Sequence, residues 1–247
     1  MVEIPKLGAN QGVGYETAKN LVLSSADYHV VLGSRDAAKG EAAAKELQSL
    51  GIKGTVSSTQ LDVTDQDSVD AAAQRAEVDF GRLDILVNNA GIMVMTTPPS
   101  RDALRAVLDT NVTGALGVTE AFLSLLGKAA HRPARLVFVS SSMGSISHAG
   151  DPASPFFNPG ATEYRVSKAA LNMLLTMYHV RLGSESLLVL GADPGLCATN
   201  FTKDPTSLKA RGAAEPSDGG ERVATVVRGE KDADAGRVVG VYGVSPW

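Results

Sequence analysis

The chain nearly lacks cysteine, and its histidines are few and scattered. The single cysteine, Cys197, excludes an internal disulfide bond and a metal site made of several cysteines. The four histidines do not have the spacing of metal ligands, and the nucleophile-elbow motif of Ser-His-Asp hydrolases is absent. We therefore expect no metal site and no hydrolase of that type.

Long apolar runs and basic clusters are also missing. No stretch approaches the ~18 uninterrupted apolar residues of a membrane span, and the N-terminus has no basic region followed by an apolar run, as a secretory signal would. The net charge is -4, which argues against nucleic acid as a main partner, because phosphate binding needs clustered Lys and Arg. These absences predict a cytoplasmic protein that acts without a membrane or a nucleic-acid partner.

What the sequence does contain is an alternation of apolar, β-branched runs with helical patterns. Residues 85–87 and 136–139 are apolar throughout, as in strands buried on both faces of a parallel sheet. Such alternation predicts one α/β domain over residues 1–247, with a doubly wound, mostly parallel sheet and helices on both faces. The predicted strands are residues 28–33, 54–61, 83–87, 135–140, 187–191 and 238–242, and the predicted helices are residues 15–24, 37–50, 66–80, 101–126, 163–182 and 218–227.

Two stretches, residues 145–162 and 200–216, interrupt this alternation. Both follow the carboxyl ends of strands, where open α/β sheets bind ligands. They are either solvated surface loops or walls of a substrate pocket, and their position favours the pocket. Phe156 and Phe157 hint at an apolar wall, although aromatic residues in a loop more often pack it down.

A glycine turn opens the first helix. Gly8 permits a tight turn, Gly12 lets backbone approach a pyrophosphate, and Gly14 allows close helix–strand packing. The helix N-terminus adds free N–H groups for phosphates. Alone the motif is weak, since it could serve a methyltransferase or merely turn the chain. The predicted cofactor residues here are Gly8, Asn10, Gln11, Gly12, Val13 and Gly14.

The predicted strand 28–33 is followed by Ser34 and Arg35. A fold selective for NAD usually carries an acid at this place, which binds the ribose 2′-hydroxyl. An arginine can instead grip a 2′-phosphate bidentately. We therefore predict NADP(H) as the cofactor, the alternative being that Arg35 is an ordinary surface arginine.

The next two predicted strands also end in polar turns. Asp62, with Val63, is placed either to accept from an adenine amino group or to begin a helix, and both interpretations stay open. Asparagines after the predicted strand 83–87 can form hydrogen bonds with the backbone of a turn. The cofactor residues predicted in that turn are Asn89, Ala90 and Gly91.

Tyr164 and Lys168 lie four residues apart in a predicted helix, shortly after the serines 140–142. An i, i+4 pair shares one helical face. A nearby cation favours the phenolate and lowers a phenol's pKa from about 10. Such a tyrosine can exchange a proton with a carbonyl oxygen near neutral pH.

The order of these pieces along residues 8–242 resembles the short-chain dehydrogenase/reductase family, and Arg35 resembles its NADPH-dependent carbonyl reductases. The pieces are the glycine turn, Asn88-Asn89-Ala90-Gly91, Asn111, Ser141, Tyr164 with Lys168, and Pro194-Gly195 with Thr199. The resemblance implies a Rossmann-like sheet of seven strands and hydride transfer between a nicotinamide and a carbonyl or alcohol carbon. It also implies a possible homo-oligomer, a dimer or tetramer.

The resemblance assigns roles by position. Tyr164 would be the general acid in carbonyl reduction, and Lys168 would lower its pKa and bind the nicotinamide ribose. Asn111 would hold a water that relays protons to Lys168. Ser141 would hydrogen-bond the substrate oxygen; it is favoured over its two serine neighbours because it lies three residues before Gly144, as in the family's Ser-x-x-Gly pattern.

Pro194 and Gly195 would pass under the nicotinamide, and Thr199 would help to hold the carboxamide.

Two features depart from the family. The first strand reads Ile4-Pro5-Lys6-Leu7, and proline is rare in central strands. The segment between Ser141 and Tyr164 is long, which indicates a modified substrate entrance. A non-catalytic NADP(H)-binding sensor on the same scaffold is the alternative function, but it would not need this acid–base set.

Overall fold

Parallel strand pairing organises the chain. The computed structural model describes residues 2–7, 9–184, 186–202 and 204–247. Within them, an eight-stranded sheet has the order β3-β2-β1-β4-β5-β6-β7-β8. The strands are β1 (Val2–Leu7), β2 (Tyr28–Ser34), β3 (Thr55–Gln60), β4 (Ile85–Asn88), β5 (Ala134–Val139), β6 (Leu187–Ala192), β7 (Val238–Gly240) and β8 (Gly243–Val244).

Helices cover both faces of this sheet and bury two apolar cores. One core contains Leu21 and Leu47, and the other contains Phe122 and Leu175. The predicted single α/β domain with a mostly parallel, Rossmann-like sheet is confirmed. The helices are α1 (Gly12–Ser24), α2 (Ala37–Ser49), α3 (Gln66–Phe80), α4 (Arg101–Leu108), α5 (Gly114–Gly127), α6 (Ile146–Gly150), α7 (Thr162–Leu182), α8 (Pro205–Ala210) and α9 (Pro216–Val227).

The expected count of seven strands was wrong. The predicted strand 238–242 ends at Gly240, and the chain then turns back so that Val239 pairs antiparallel with Val244. Gly243 permits this return, because its φ of +89° is a conformation that favours glycine. A strand of two residues is too short to leave an apolar pattern in the sequence.

The predicted helix over residues 101–126 is also interrupted. A π-helical segment, Asp109–Thr113, separates α4 from α5. The side chain of Asn111 in this segment is buried and bonded to other parts of the chain, so the local backbone departs from regular α-helix. Single π-turns of this kind are frequent at functional sites.

Pro5 does not prevent the first strand from forming. The β1–β2 register runs along all of β1 and includes the pair Pro5↔Val31. The strand order reverses direction between β1 and β4, and such a switch point opens a crevice at the carboxyl edge of the sheet. In the described part of the chain, no helix has both the length and the apolar character needed to cross a membrane.

Candidate active site

Tyr164 and Ser141 meet at the carboxyl edge of the sheet. Tyr164 lies in the first turn of α7, where it is 8% exposed. Ser141 follows β5 and caps a short 3-10 turn, Ser142–Gly144, by accepting a hydrogen bond from Met143 N at 3.1 Å. The Ser141 side chain lies close enough to the Tyr164 phenol to lower the pKa of that phenol. The structure therefore brings the predicted acid and the predicted oxygen-binding serine together.

The three neighbouring serines have different partners. Ser140 Oγ donates to Asn172 Oδ1 within the core. Ser142 Oγ donates to Asp193 Oδ2 at 2.6 Å. Ser141, the serine selected from the Ser-x-x-Gly spacing, is the one whose side chain acts on the pKa of the Tyr164 phenol.

Gly144 allows the serine turn to lie directly on α7. A Cβ atom at this position would be 2.6 Å from the carbonyl carbon of Lys168 and 2.8 Å from Ala169 N. These distances are too short for any side chain. The glycine of the Ser-x-x-Gly pattern therefore sets the distance between the serine turn and the helix that carries Tyr164 and Lys168.

Lys168 is buried beside the tyrosine. Its Nζ lies 5.6 Å from the centroid of the Tyr164 ring and donates to Val139 O at 2.8 Å. Burial lowers the pKa of Lys168 to about 8, and the negative charge of Asp193 opposes that decrease. The ammonium group is thus held close to the phenol, as the helical spacing predicts.

The expected lowering of the tyrosine's pKa is not found. Burial raises the pKa of Tyr164 above its ordinary value, the charge of Asp193 raises it further, and the hydrogen bond with Ser141 opposes them. The sequence-based expectation considered Lys168 alone and missed both the burial and Asp193. A phenol with a raised pKa stays protonated at neutral pH but is a weaker acid, so general acid catalysis by Tyr164 needs its pKa to fall when cofactor and substrate bind.

Asn111 joins the turn after β4 to α7. Its Oδ1 accepts from Ile92 N at 2.8 Å, and its Nδ2 donates to Ile92 O at 3.0 Å and to Ser167 Oγ at 2.9 Å. A Cβ on Gly91 would lie 3.3 Å from Asn111 Oδ1 and 3.9 Å from Lys168 Nζ. Asn111, Gly91 and Lys168 are therefore close neighbours.

Asp193 is a site residue that the sequence analysis missed. It directly follows β6, is 5% exposed, and accepts hydrogen bonds from Ser142 and from Gly195 N. A charged residue immediately after a buried apolar strand is a signal that could have indicated it. Its two partners belong to the loops after β5 and β6.

The glycine turn faces the loop after β6. Gly12 has a φ of +60°, and a Cβ there would lie 3.7 Å from the Thr199 side chain. Pro194 O accepts from Arg222 Nη1 at 2.6 Å, and Gly195 has a φ of +75°. Gly8 lies outside the described residues. Asn10, Gln11, Val13 and Gly14 lie at or beside the beginning of α1, whose N-terminus suits a pyrophosphate.

The ends of β2 and β3 lie further along the same edge. Ser34 is buried and donates to Asp36 O at 2.7 Å, whereas Arg35 is exposed. Asp36 caps α2 by accepting from Lys39 N. Asp62 Oδ1 accepts from Thr64 N at 3.0 Å and from Thr64 Oγ1 at 2.8 Å. Asp62 thus forms a turn ahead of α3, whose N-cap is Asp65, so both interpretations of Asp62 stay open.

Three further predicted cofactor residues, Val63, Asn89 and Ala90, lie near the residues described above. Val63 packs against the beginning of α5, where a Cβ on Gly114 would lie 2.9 Å from Val63 O. Asn89 and Ala90 follow β4, between the buried Asn88 and the glycine that contacts Asn111. These residues share the carboxyl edge with the catalytic set.

The first turn of α7 also anchors three loops. Glu163 Oε1 accepts from Thr96 Oγ1 at 2.6 Å and from Ser100 N at 3.0 Å. Arg165 donates to Phe156 O at 2.6 Å. The ring of Phe201 lies edge-on to the Tyr164 ring, with centroids 5.9 Å apart. The sequence analysis did not single out Glu163, Arg165 or Phe201.

A parallel sheet with a glycine turn and a Ser–Tyr–Lys set at its switch point defines a dinucleotide-dependent oxidoreductase class. A family model described as short chain dehydrogenase matches residues 6–209. The chain belongs to the short-chain dehydrogenase/reductase family, an oxidoreductase family that uses NAD(P)(H).

Individual relatives agree with this assignment. The chain is 38% identical over 213 residues to short-chain dehydrogenase anuI of Penicillium roqueforti, covering 85% of this chain and 84% of the relative. It is 32% identical over 251 residues to short-chain dehydrogenase/reductase tropE of Talaromyces stipitatus, covering 94% and 92%. The structure of NADPH-bound carbonyl reductase from chicken fatty liver is 27% identical, with a TM-score of 0.84 and coverage of 99% and 94%.

Proposed function

We propose that this protein is an NADP(H)-dependent carbonyl reductase that converts a ketone or aldehyde to an alcohol, or catalyses the reverse reaction. One observation carries the proposal: the Tyr164 phenol lies beside the Ser141 side chain, which acts on its pKa, and its ring centroid is 5.6 Å from the buried Lys168 ammonium group. These are the proton donor, the oxygen-binding donor and the cation that carbonyl reduction needs.

Each catalytic side chain has one task in this proposal. Ser141 donates a hydrogen bond to the substrate oxygen, and Tyr164 gives that oxygen its proton. Lys168 places a positive charge next to the tyrosinate that remains, and Asn111 connects Lys168 to solvent through a water. The bound nicotinamide supplies the hydride.

The cofactor residues fit a dinucleotide. Gly12 brings backbone close to Thr199 without a side chain between them, and the N-terminus of α1 favours a pyrophosphate. Arg35 is exposed, and the nearest acid, Asp36, caps α2, so a 2′-phosphate meets a cation without competition from that carboxylate. Asp62 and Val63 would contact adenine, Asn89, Ala90 and Gly91 the ribose side, and Pro194, Gly195 and Thr199 the nicotinamide.

The loops anchored on α7 support an apolar carbonyl substrate. Residues 145–162 and 200–216 contain α6 and α8, respectively. The exposed side chains of Phe157 and Phe201 come from these loops, and Met95 comes from the loop bonded to Glu163. Phe201 contacts the catalytic ring itself, so an aromatic or aliphatic group next to the carbonyl would pack against it.

The outer face of α7 supports a homo-oligomer. Val166, Met173, Met177 and Val180 recur at helical spacing and are 43%, 62%, 51% and 73% exposed. A continuous apolar stripe on a long helix is typical of a protein interface. We propose a dimer or tetramer of this chain that works in the cytoplasm.

NADPH fluorescence and consumption test the proposal. We expect NADPH to bind and to be oxidised by at least one member of a panel of aliphatic and aromatic carbonyls. Tyr164→Phe should lower kcat by about 10²- to 10⁴-fold and leave NADPH affinity nearly unchanged, because general acid catalysis contributes that much.

Tyr178→Phe is the matched control, since it removes a phenol oxygen from the same helix, where Tyr178 bonds Glu120 instead. Activity that survives in Tyr164→Phe would contradict the mechanism. Binding without turnover on any carbonyl would favour the sensor function.

A further inference from the structure

The carboxylate of Asp193 connects two loops of the site. Its Oδ2 accepts from Ser142 N at 2.7 Å and from Ser142 Oγ at 2.6 Å, and its Oδ1 accepts from Gly195 N at 2.8 Å. The serine turn after β5 and the Pro194-Gly195 loop after β6 are thus held by one buried side chain. A buried carboxylate with three such bonds is a rigid connection.

We infer that Asp193 is a positioning residue of the active site: it fixes the Ser141 turn relative to the Pro194-Gly195 loop, and its negative charge favours the ammonium form of Lys168. The inference rests on the proposed function, because it gives Asp193 a part in the same reaction.

Several titratable and charged groups surround the Asp193 carboxylate. Tyr164 and Lys168 face it from α7, Cys197 lies in the loop that follows it, and Arg222 approaches from α9 to bond Pro194. Asp193 raises the pKa of both Tyr164 and Lys168. Because burial disfavours the ammonium form, a carboxylate nearby keeps Lys168 charged in a place where a lone cation would lose its proton more readily.

Ser142 is the residue through which Asp193 positions the Ser141 turn. Ser142 follows Ser141 directly, and both its backbone N–H and its hydroxyl end on the same carboxylate oxygen. Ser141 in turn lies beside the Tyr164 phenol and acts on its pKa. Loss of the Ser142 bonds would therefore loosen the donor that is aimed at the substrate oxygen.

Asp193→Asn tests the charge, since asparagine keeps the shape and an acceptor. The first readout needs no cofactor: a ¹³Cε NMR titration of Lys168, assigned with Lys168→Arg. We expect the midpoint, about 8 in the unchanged protein, to fall by about one unit in Asp193→Asn. The pH profile of NADPH-dependent reduction should shift in the same direction, because the pKa of Tyr164 falls too.

Asp84→Asn is the matched control. Asp84 is also buried and its Oδ1 accepts from Ala130 N and His131 N, both at 2.8 Å, but it precedes β4 at the opposite edge of the sheet. We expect this variant to lower Tm and to leave the Lys168 midpoint and the pH profile in place. Equal midpoints in Asp193→Asn and the unchanged protein would overturn the charge role.

Ser142→Ala tests the positioning role and does so even where Asp193→Asn fails to fold. It keeps the carboxylate, so the Lys168 midpoint should stay in place while kcat falls by about five-fold, the effect of one hydrogen bond. An unchanged kcat would overturn this role. Absence of NADPH-dependent turnover in the unchanged protein would instead contradict the proposed function, and the NMR titration would still decide the charge role.

Discussion

Gly144→Ala should damage catalysis by displacing the serine turn. The new Cβ would lie 2.6 Å from the Lys168 carbonyl carbon and 2.8 Å from Ala169 N, whereas ordinary contacts begin at 3.4 Å. The turn must therefore move away from α7 by about 0.8 Å, because both atoms belong to helical backbone and cannot yield. That movement carries Ser141 away from Tyr164.

The expected size follows from this displacement. A misplacement near 1 Å costs on the order of 10²-fold in rate, so we expect kcat to fall by about 10- to 100-fold. Overpacking costs about 1–3 kcal/mol, which corresponds to a Tm lower by about 2–12 °C for a chain of this size. NADPH affinity should change much less than kcat, because the turn that moves carries Ser141, whereas the predicted pyrophosphate contacts are at the beginning of α1 and Gly12 neighbours Thr199.

Steady-state kinetics with NADPH, a thermal melt and an NADPH fluorescence titration provide the measurements. Gly127→Ala is the control, since a Cβ at this position would meet nothing within 4 Å. It should retain kcat and Tm. A Gly144→Ala protein with unchanged kcat and Tm would refute the reasoning that the turn is fixed by close packing.

Two further predictions concern the cofactor and the substrate. Arg35→Asp should weaken NADPH binding by about 10- to 150-fold, the contribution of a charged hydrogen bond, and should reverse the NADPH/NADH preference in a fluorescence titration. The control Lys45→Asp makes the same charge change on α2 and should preserve the preference for NADPH. A preference that Arg35→Asp does not reverse would rule out Arg35 as the 2′-phosphate ligand. Phe201→Ala should lower kcat/KM by about 2- to 12-fold for bulky apolar carbonyls and spare small ones, because an aromatic contact is lost. Val78→Ala on the outside of α3 should not discriminate between substrates, and equal losses on large and small carbonyls would contradict the contact with Phe201.

The parallel sheet and most of its helices were predictable because they leave periodic signals in the sequence. Continuous apolar runs indicate strands covered on both faces, and the helical spacing between them indicates crossovers. The two-residue strand β8 and the π-helical segment leave no such signal. Asn111 in this segment bonds Ile92 and Ser167, which lie 19 and 56 residues away in the chain, and such long-range contacts are not visible in a local pattern.

The candidate site was predictable where a motif has fixed spacing. Ser141, Tyr164 and Lys168 meet as their spacing requires. Asp193 escaped prediction because its partner Ser142 lies 51 residues away. The direction in which the pKa of Tyr164 shifts was not predicted for the same reason, since burial and a carboxylate distant in the sequence are properties of the folded chain.

Three consecutive residues in the first turn of α7 each contact a separate loop of the proposed substrate site. Glu163, Tyr164 and Arg165 are consecutive, yet each touches a different loop. A loop transplanted from a relative would therefore leave the proton donor in place, provided that it brings a partner for its own anchor residue. Under the proposed function, the substrate range can therefore change through one loop at a time, while the residues that carry out the reaction stay the same.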